Sequence, residues 1–495
     1  MAQQEQEREF KRRLGLLDSV MIVVGSMIGS GIFIVSADIS RTVGSAGLLM
    51  LVWVITGVLT LIAALSYGEL SAMMPHAGGQ YVYLREAYNP LVGFLYGWTF
   101  FMVIQTGTIA AVAVAFAKFS GVLIPWISDK NFLIDFLGLK ITTAQITAVL
   151  CIVILTWVNL LGVREGKTVQ NVFTLTKTAA LIGIILLGLF VVRNHEAIAI
   201  NFSNFWTATW THMQGGSIDY VESLSGWKIL VAIGVASVGS LFAADSWHDV
   251  AITAGEVIDP KKNLPRSLAM GVVLVTVLYI LSNVAYILLL PVVGSPGGTD
   301  VVGRGIQFAT SDRVGTAAAS MIFGDLATVI MAVLIMISTF GCTNGLVLAG
   351  ARLYYAMAKD KLFFSRAGEL NKNSVPAFAL VIQAAWASLL CFSGTYSDLL
   401  DYVVFAVLIF YVLTISGLFI LRRKRPNAER PYKAFGYPVL PALYVFVAAL
   451  ICIDLLIYKP MYTWPGVIIV LIGIPIYFLW IRFNRTDVAA PTTTT

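Results

Sequence analysis

Gly25-Ser26-Met27-Ile28-Gly29-Ser30-Gly31-Ile32-Phe33 falls inside an apolar run long enough to cross a bilayer, yet three glycines and two serines stand in it where helix formers belong. Glycine costs roughly 1 kcal/mol per position in a helix interior. In lipid, the backbone groups released by a break must also find partners other than water. The stretch therefore predicts a spanning helix interrupted at its middle. Such helices offer free N–H and C=O groups to a small charged solute near the midplane, as in secondary transporters.

The rest of the chain supports a membrane setting. Hydrophobic residues make up 58% and charged residues 12%, with a mean hydropathy of +0.83, whereas soluble domains are about 45–50% apolar. The sequence reads as an all-α polytopic membrane protein. With about 20 residues per span, twelve transmembrane helices are expected, near 17–36, 48–74, 91–117, 143–162, 168–192, 228–253, 266–290, 327–357, 376–394, 400–421, 438–457 and 464–482. With both termini cytoplasmic, the inner segments collect most of the 33 Lys and Arg, among them Lys11, Arg12, Arg13, Arg85, Lys261, Lys262 and the run Arg422-Arg423-Lys424-Arg425. This is the positive-inside pattern. The net charge of +6 is thus topological and implies no nucleic-acid partner.

Targeting signals are mostly absences. The polar start carries no apolar stretch before a cleavage site, so no removable signal peptide is expected. The four cysteines all fall in expected spans, leaving none for an outer disulfide. One transporter domain, 17–482, is expected between a cytoplasmic N-terminal segment, 1–16, and a cytoplasmic tail, 483–495. Non-spanning stretches at 193–227 and 291–326 read as outer loops.

A second weak helix lies five spans after the first. It reads Ser240-Leu241-Phe242-Ala243-Ala244-Asp245-Ser246-Trp247-His248-Asp249. Discontinuous helices one and six, an odd number of spans apart, suggest a 5+5 inverted repeat with the solute site between the halves. The first repeat is expected at about 17–192 and the second at about 228–421, with helices eleven and twelve, 438–482, outside them.

Several motifs carry a family likeness. The run Gly25 to Phe33, Tyr67-Gly68-Glu69-Leu70, Gly78-Gly79-Gln80-Tyr81-Val82-Tyr83 and Asp259-Pro260-Lys261-Lys262-Asn263-Leu264-Pro265 resemble the amino acid-polyamine-organocation superfamily. So do Phe340-Gly341-Cys342-Thr343-Asn344-Gly345, Arg352-Leu353-Tyr354-Tyr355 and Arg430-Pro431-Tyr432-Lys433, and the L-type amino acid transporter branch is the nearest likeness. The resemblance implies the twelve-helix fold with its inverted repeat and amino acid transport by alternating access.

A zwitterion makes demands that can be set against these residues. A carboxylate wants N–H donors at a half-helix N-terminus. Gly29, Ser30 and Gly31 can present them, because glycine lets a ligand approach the backbone closely. The resemblance places the substrate carboxylate there and the ammonium against carbonyls around Met27 and Phe242. The competing reading is that these glycines serve close helix packing. Met27 is also a residue that fills irregular gaps.

Lys177 is read from its depth. If helix five starts near Thr168, Lys177 lies about 13 Å along it at 1.5 Å per residue, where an ammonium costs roughly 3 kcal/mol to insert. So costly a residue is a functional candidate, either as a proton acceptor or as a fixed cation; the alternative is a tether between helices five and one. In sodium-coupled relatives of the fold, sodium sits between helices one, five and eight, and sodium-independent members carry lysine at the matching position. No sodium, and no other metal or cofactor, is expected here. Carbonyls near Gly25 and the Ser338 hydroxyl are its expected partners.

Asp245 departs from the family pattern, which has an aromatic and glycines after the Phe-Ala pair. Three roles compete for its carboxylate: pairing with the substrate ammonium, accepting a cationic side chain, and exchanging protons with Lys177. Ala244 in place of the aromatic implies a differently shaped pocket. His248 and Asp249 are expected to line the inner path or cap the half-helix, and Trp247 and Trp53 to gate or to pack, with Trp247 alone of the two a candidate for contact with substrate. Glu69 and Asp454 read as structural, held by loop backbone or basic neighbours.

The four dispersed histidines and the lack of any metal-spaced motif argue against an enzyme. The reading is a sodium-independent secondary carrier of L-amino acids in the inner membrane, working by exchange or proton symport. The alternatives are a carrier of cationic amino acids or polyamines, and a non-transporting sensor. L-type carriers of animals are joined to a glycoprotein through a cysteine between helices three and four. Residues 118–142 contain none, so no disulfide-linked subunit is expected.

Overall fold

A computed structural model describes residues 10–136, 139–214, 217–392 and 396–486. Parts of the expected terminal segments, 1–9 and 487–495, lie outside the described residues. The first half holds α1 (Leu16–Met27), α2 (Ser36–Val43), α3 (Ala46–Met73), α4 (Gln80–Ala87), α5 (Pro90–Thr99), α6 (Gln105–Leu123), α7 (Thr143–Leu161), α8 (Val163–Leu186) and α9 (His195–Ser203). The second half holds α10 (Trp227–Ala243), α11 (Asp249–Ile252), α12 (Pro260–Leu289), α13 (Val301–Arg304), α14 (Val314–Phe323), α15 (Ala327–Lys359), α16 (Ala377–Leu390), α17 (Tyr396–Lys424), α18 (Val439–Tyr458) and α19 (Pro460–Thr486). Two antiparallel hairpins, β1 (Phe132–Phe136) with β2 (Leu139–Thr142) and β3 (Thr209–Gln214) with β4 (Ser217–Ser223), are the described strands.

Among the described residues, nine helical stretches are long and apolar enough to cross a membrane, and α1, α10 and α16 are shorter apolar helices. The first two are short for one reason: each ends at a break. α5 runs into α6 through a single wide turn at Phe100–Ile104.

Local chemistry sets several boundaries. The Ser45 hydroxyl accepts from Leu48 N at 3.3 Å to start α3, and Asn89 with Pro90 starts α5. Thr142 and Gln145 form a reciprocal capping box on α7. The fifth helix begins at Val163, earlier than the expected Thr168, because Gly162 at φ 145° lets the chain turn straight out of α7. Its first turns are polar and extend the helix beyond the apolar zone. The stretches expected as outer loops are not featureless. Residues 193–227 hold α9 and the β3–β4 hairpin, and 291–326 hold α13 and α14.

The interrupted helices sit at the centre of the bundle. α1 lies against α8, α12 and α15, and α10 against α2, α3 and α18. Ion pairs lock the ends. Glu69, fully buried, is held by Arg422 at 2.6 Å, by Arg430 at 3.2 Å and by Ala434 N at 2.7 Å, which agrees with its structural reading. Arg352 and Glu256 form a buried pair at 3.1 Å. Glu256 O also accepts Arg13 N and Leu14 N, clamping the N-terminal segment across the stretch after α11. Asp454 does not find the expected partner. Its Oδ2 faces Gly234 of α10 and makes no hydrogen bond among the described residues.

Candidate substrate and coupling site

α1 stops at Met27 because Ile28 leaves helical geometry at φ −77°, ψ 92°. A tight turn at Gly31–Phe33 follows, and α2 resumes the path at Ser36. Every freed backbone group in an apolar interior needs a partner. Five successive carbonyls find one in a side chain. Lys177 Nζ on α8 donates to Gly25 O at 2.6 Å and Ile28 O at 2.5 Å. Cys342 Sγ on α15 donates to Ser26 O at 3.0 Å, and Tyr279 OH on α12 to Met27 O at 3.0 Å. Ser338 Oγ on α15 donates to Ile28 O at 3.1 Å and Gly29 O at 2.8 Å.

The expected pairing of Lys177 with the Ser338 hydroxyl needs correction. Lys177 Nζ reaches the Ser338 backbone carbonyl at 3.3 Å instead. The ammonium can only donate, and the acceptors within its reach are backbone carbonyls, while the Ser338 hydroxyl gives its proton to the break. Lys177 is buried, and its ammonium fills the space between α1, α8 and α15.

The glycines serve packing and backbone access together. A side chain on Gly31 would place its Cβ 2.7 Å from Ala243 Cβ, so the two broken helices touch there. At Gly25 the α8 side chains of Gln170 and Thr174 come closer still. Gly29 is less crowded, since a Cβ added to it would lie 3.3 Å from Cys342 Sγ. Met27, Ser30 and Gly31 are all buried.

The second break begins where α10 ends at Ala243. Ser246 takes a left-handed φ of 65°, and α11 starts at Asp249. Tyr279 OH lies 3.0 Å from Ala243 O as well as from Met27 O, so its one proton is shared between the two carbonyls. One hydroxyl therefore ties both breaks together.

Asp245 is buried in this second break, with its carboxylate turned to α17. Oδ1 accepts from Tyr411 OH at 2.5 Å, and the same phenol oxygen lies 2.8 Å from His248 Nδ1. His248 Nε2 is 3.5 Å from Tyr96 OH. Asp245 also lines a cavity of about 20 Å³ with Thr60, Ala244, Trp247, Tyr411 and Tyr444. A larger side chain at Ala244 would fill that space. His248 stands at the N-cap position of α11, but its side chain makes no capping hydrogen bond there. Trp247 is held edge-on by Tyr67 at 4.7 Å and tilted against Tyr411 at 5.3 Å. Trp53 packs edge-on to Tyr279 at 5.4 Å and donates to Ser36 Oγ at 3.3 Å. Phe242 is buried in the last turn of α10. Asp249 is fully buried, and neither carboxylate oxygen makes a hydrogen bond among the described residues.

The structure therefore brings Met27, Gly29, Lys177 and Ser338 together, and joins them to the Phe242–Trp247 segment through Tyr279 and Gly31. Tyr279 and Tyr411 are the organisers that the sequence did not reveal. Aromatics scattered through apolar spans read as packing, and nothing local distinguishes a tyrosine whose hydroxyl serves a distant carbonyl. No group of three His, Cys, Asp or Glu is arranged to hold a metal among the described residues.

Two facing helix breaks inside a multi-span bundle, one with its carbonyls individually served by side chains, define a multi-pass membrane protein built around a backbone-lined site. The chain belongs to the amino acid permease family, whose profile matches residues 14–487. It is similar to the large neutral amino acids transporter small subunit 2 of Oryctolagus cuniculus, 31% identical over 476 residues that cover 96% of this chain and 81% of that protein. It is similar also to the serine/threonine exchanger SteT of Bacillus subtilis (strain 168), 29% identical over 476 residues covering 96% and 98% respectively. The Asc-type amino acid transporter 1 of Homo sapiens is 30% identical over 474 residues, covering 95% and 82%. The family is one of transporters, and this chain is a permease and not an enzyme.

Proposed function

We propose that the chain carries L-amino acids across the cytoplasmic membrane by alternating access, without sodium, and that neutral amino acids are its main cargo. The observation that carries the reading is the service of the Gly25–Gly29 carbonyls by Lys177, Cys342, Tyr279 and Ser338. A break maintained at that expense holds the Gly29–Gly31 segment out of the helix, at the place this reading assigns to the substrate carboxylate. Lys177 supplies a fixed cation between α1, α8 and α15, where a sodium ion would otherwise stand. The relatives are named for large neutral amino acids and for serine and threonine, which supports uncharged side chains.

The same reading takes the protein as twelve spans in two inverted repeats, 17–192 and 228–421, followed by 438–482, with both termini on the cytoplasmic side of the inner membrane. Support comes from the nine long and three shorter apolar helices among the described residues and from the contact of the two breaks at Gly31 and Ala243. A cationic cargo has one observation in its favour, the buried carboxylate of Asp245, but that carboxylate already accepts from Tyr411.

Counterflow in proteoliposomes against a panel of labelled amino acids and polyamines, with and without sodium, tests the proposal. Exchange of neutral amino acids in sodium-free buffer is expected. Strict sodium dependence overturns the reading of Lys177, and polyamine exchange in place of amino acid exchange overturns the cargo.

A further inference from the structure

The helix-six break holds a chain of proton-exchanging groups that the carrier reading alone does not require. Tyr411 OH lies 2.5 Å from Asp245 Oδ1 and 2.8 Å from His248 Nδ1, and His248 Nε2 lies 3.5 Å from Tyr96 OH. The line runs from α5, through the ring of His248, to a carboxylate at the edge of a small cavity. All four side chains are buried. From the helices around them, Tyr67 on α3, Tyr444 on α18, Asp249 on α11 and Cys342 on α15 are the other titratable groups near Asp245. No Lys or Arg pairs with Asp245, His248 or Asp249 among the described residues.

A proton count shows what such a chain can do. The Tyr411 phenol has one proton, and whichever of its two neighbours does not receive that proton can instead donate to the phenol oxygen. In one arrangement Asp245 is ionised and accepts from Tyr411, while His248 carries its proton on Nδ1 and donates to the phenol oxygen. In the other, Asp245 is protonated and donates to the phenol oxygen, Tyr411 donates to Nδ1, and His248 carries its proton on Nε2. One proton separates the two. Taken up at Nε2, it is followed by transfer of the Nδ1 proton to the phenol and of the phenol proton to Asp245. Each bond that breaks is replaced, and the net change is one proton bound and one carboxylate neutralised.

We propose that Asp245, Tyr411 and His248 form the binding site and relay for a coupling proton, so that one proton accompanies each amino acid carried. The inference rests on the carrier reading above and adds the ion to it. A carboxylate with no cation beside it is costly in a bilayer interior, so its neutralisation favours movement of the break. The left-handed Ser246 beside it is a position where the backbone can turn. Lys177, bonded to carbonyls of the other break, stays a fixed charge in this scheme.

The test uses the full chain in proteoliposomes with a pH-sensitive dye inside and a labelled amino acid that the counterflow panel identifies. The readout is protons moved per amino acid, a ratio that does not depend on how many molecules fold. A value near one is expected for the natural sequence, falling at least tenfold in Tyr411→Phe and in His248→Gln, either of which suffices if the other fails to fold. A ratio near zero in the natural sequence while counterflow proceeds overturns the proton site and leaves the carrier reading standing. A ratio retained in either variant also overturns it, as does loss of the ratio in Lys177→Met alone. Absence of counterflow with every amino acid tested overturns the carrier reading itself.

Discussion

Tyr279→Phe removes one oxygen from the centre of the molecule and leaves the ring in place. That oxygen shares its proton between Met27 O and Ala243 O, each at 3.0 Å, and the ring rests edge-on against Trp53 at 5.4 Å. The losses at the two carbonyls are unequal. Met27 O keeps a bond from Gly29 N at 3.0 Å, so it loses one of two donors, whereas Ala243 O sits at the end of α10, where no further helical turn supplies an N–H. A shared neutral hydrogen bond contributes about 1 kcal/mol net, and a stranded buried acceptor adds a penalty of similar size. Their sum, about 2 kcal/mol, corresponds to a roughly 30-fold shift away from the arrangement in which the two breaks are held together. The assay is counterflow with a neutral amino acid, with the thermal stability of the purified protein followed in parallel. The apparent KM is expected to rise by about 10- to 30-fold. If KM stays within about twofold and only stability falls, the hydroxyl merely fastens α12 to the bundle, and its role in joining the breaks is refuted.

Lys177→Met deletes two short charged hydrogen bonds, each worth about 1.5–3 kcal/mol, so exchange is expected to fall at least tenfold; uptake unchanged across a pH series would make Lys177 a tether. Gly31→Ala forces its Cβ to within 2.7 Å of Ala243 Cβ, while Gly29→Ala meets only Cys342, whose Sγ is 3.3 Å away. The first is expected to cost about 1–3 kcal/mol through overpacking and to stop exchange. The second should retain measurable exchange, and equal effects would contradict the close contact of the breaks. Arg352→Leu leaves Glu256 buried without its partner, a change that costs about 3–5 kcal/mol; a melting temperature like that of the natural sequence would deny the pair. Glu86 lies outside the spans, where burial raises its carboxyl but Arg425 and Arg85 together hold it below the usual 4.5. Its contribution is therefore present above the unfolded carboxylate range and is lost as pH falls through the lowered folded value. Glu86→Gln should flatten the acid side of the stability profile, and an unchanged acid limb would count against the cluster.

What can be read from the chain follows the range of the interactions concerned. The break at Gly25–Gly31 is written in local composition, since glycine and serine fail as helix formers whatever surrounds them. Lys177 announces itself by the cost of an ammonium at its depth. Glu69 is legible as structural because it lies beside a span end, where arginines collect. None of this says which side chain serves which carbonyl. That depends on how α8, α12 and α15 approach α1, and it is why the backbone carbonyl of Ser338, rather than the expected hydroxyl, meets Lys177. The rotation of a short segment is equally hidden. Asp245 belongs to the break by sequence, but the left-handed turn at Ser246 and the phenol of Tyr411, well over a hundred residues away, decide where its carboxylate points. Asp454 fails in the opposite sense, because a location near a helix end does not guarantee that a base or an N–H is within reach.

The two buried charges define a division of labour between the breaks. Lys177 is bonded to carbonyls of the first break and to α15, on the flank formed by α8 and α15. Asp245 is bonded to Tyr411 and lines a cavity with residues of α3, α17 and α18, on the opposite flank of the second break. Neither charge neutralises the other through a direct ion pair, so each is stabilised by groups that belong to different neighbours. Tyr279 and the Gly31–Ala243 contact are what join the two halves. On the proposed cycle, a substrate carboxylate at Gly29–Gly31 acts on the half that carries the fixed cation, and a proton at Asp245 acts on the half that carries the titrating anion. Coupling then requires no wire between Lys177 and Asp245. It requires only that the junction transmit strain, which makes a variant at the junction, rather than at either charge, the one expected to separate amino acid binding from proton binding.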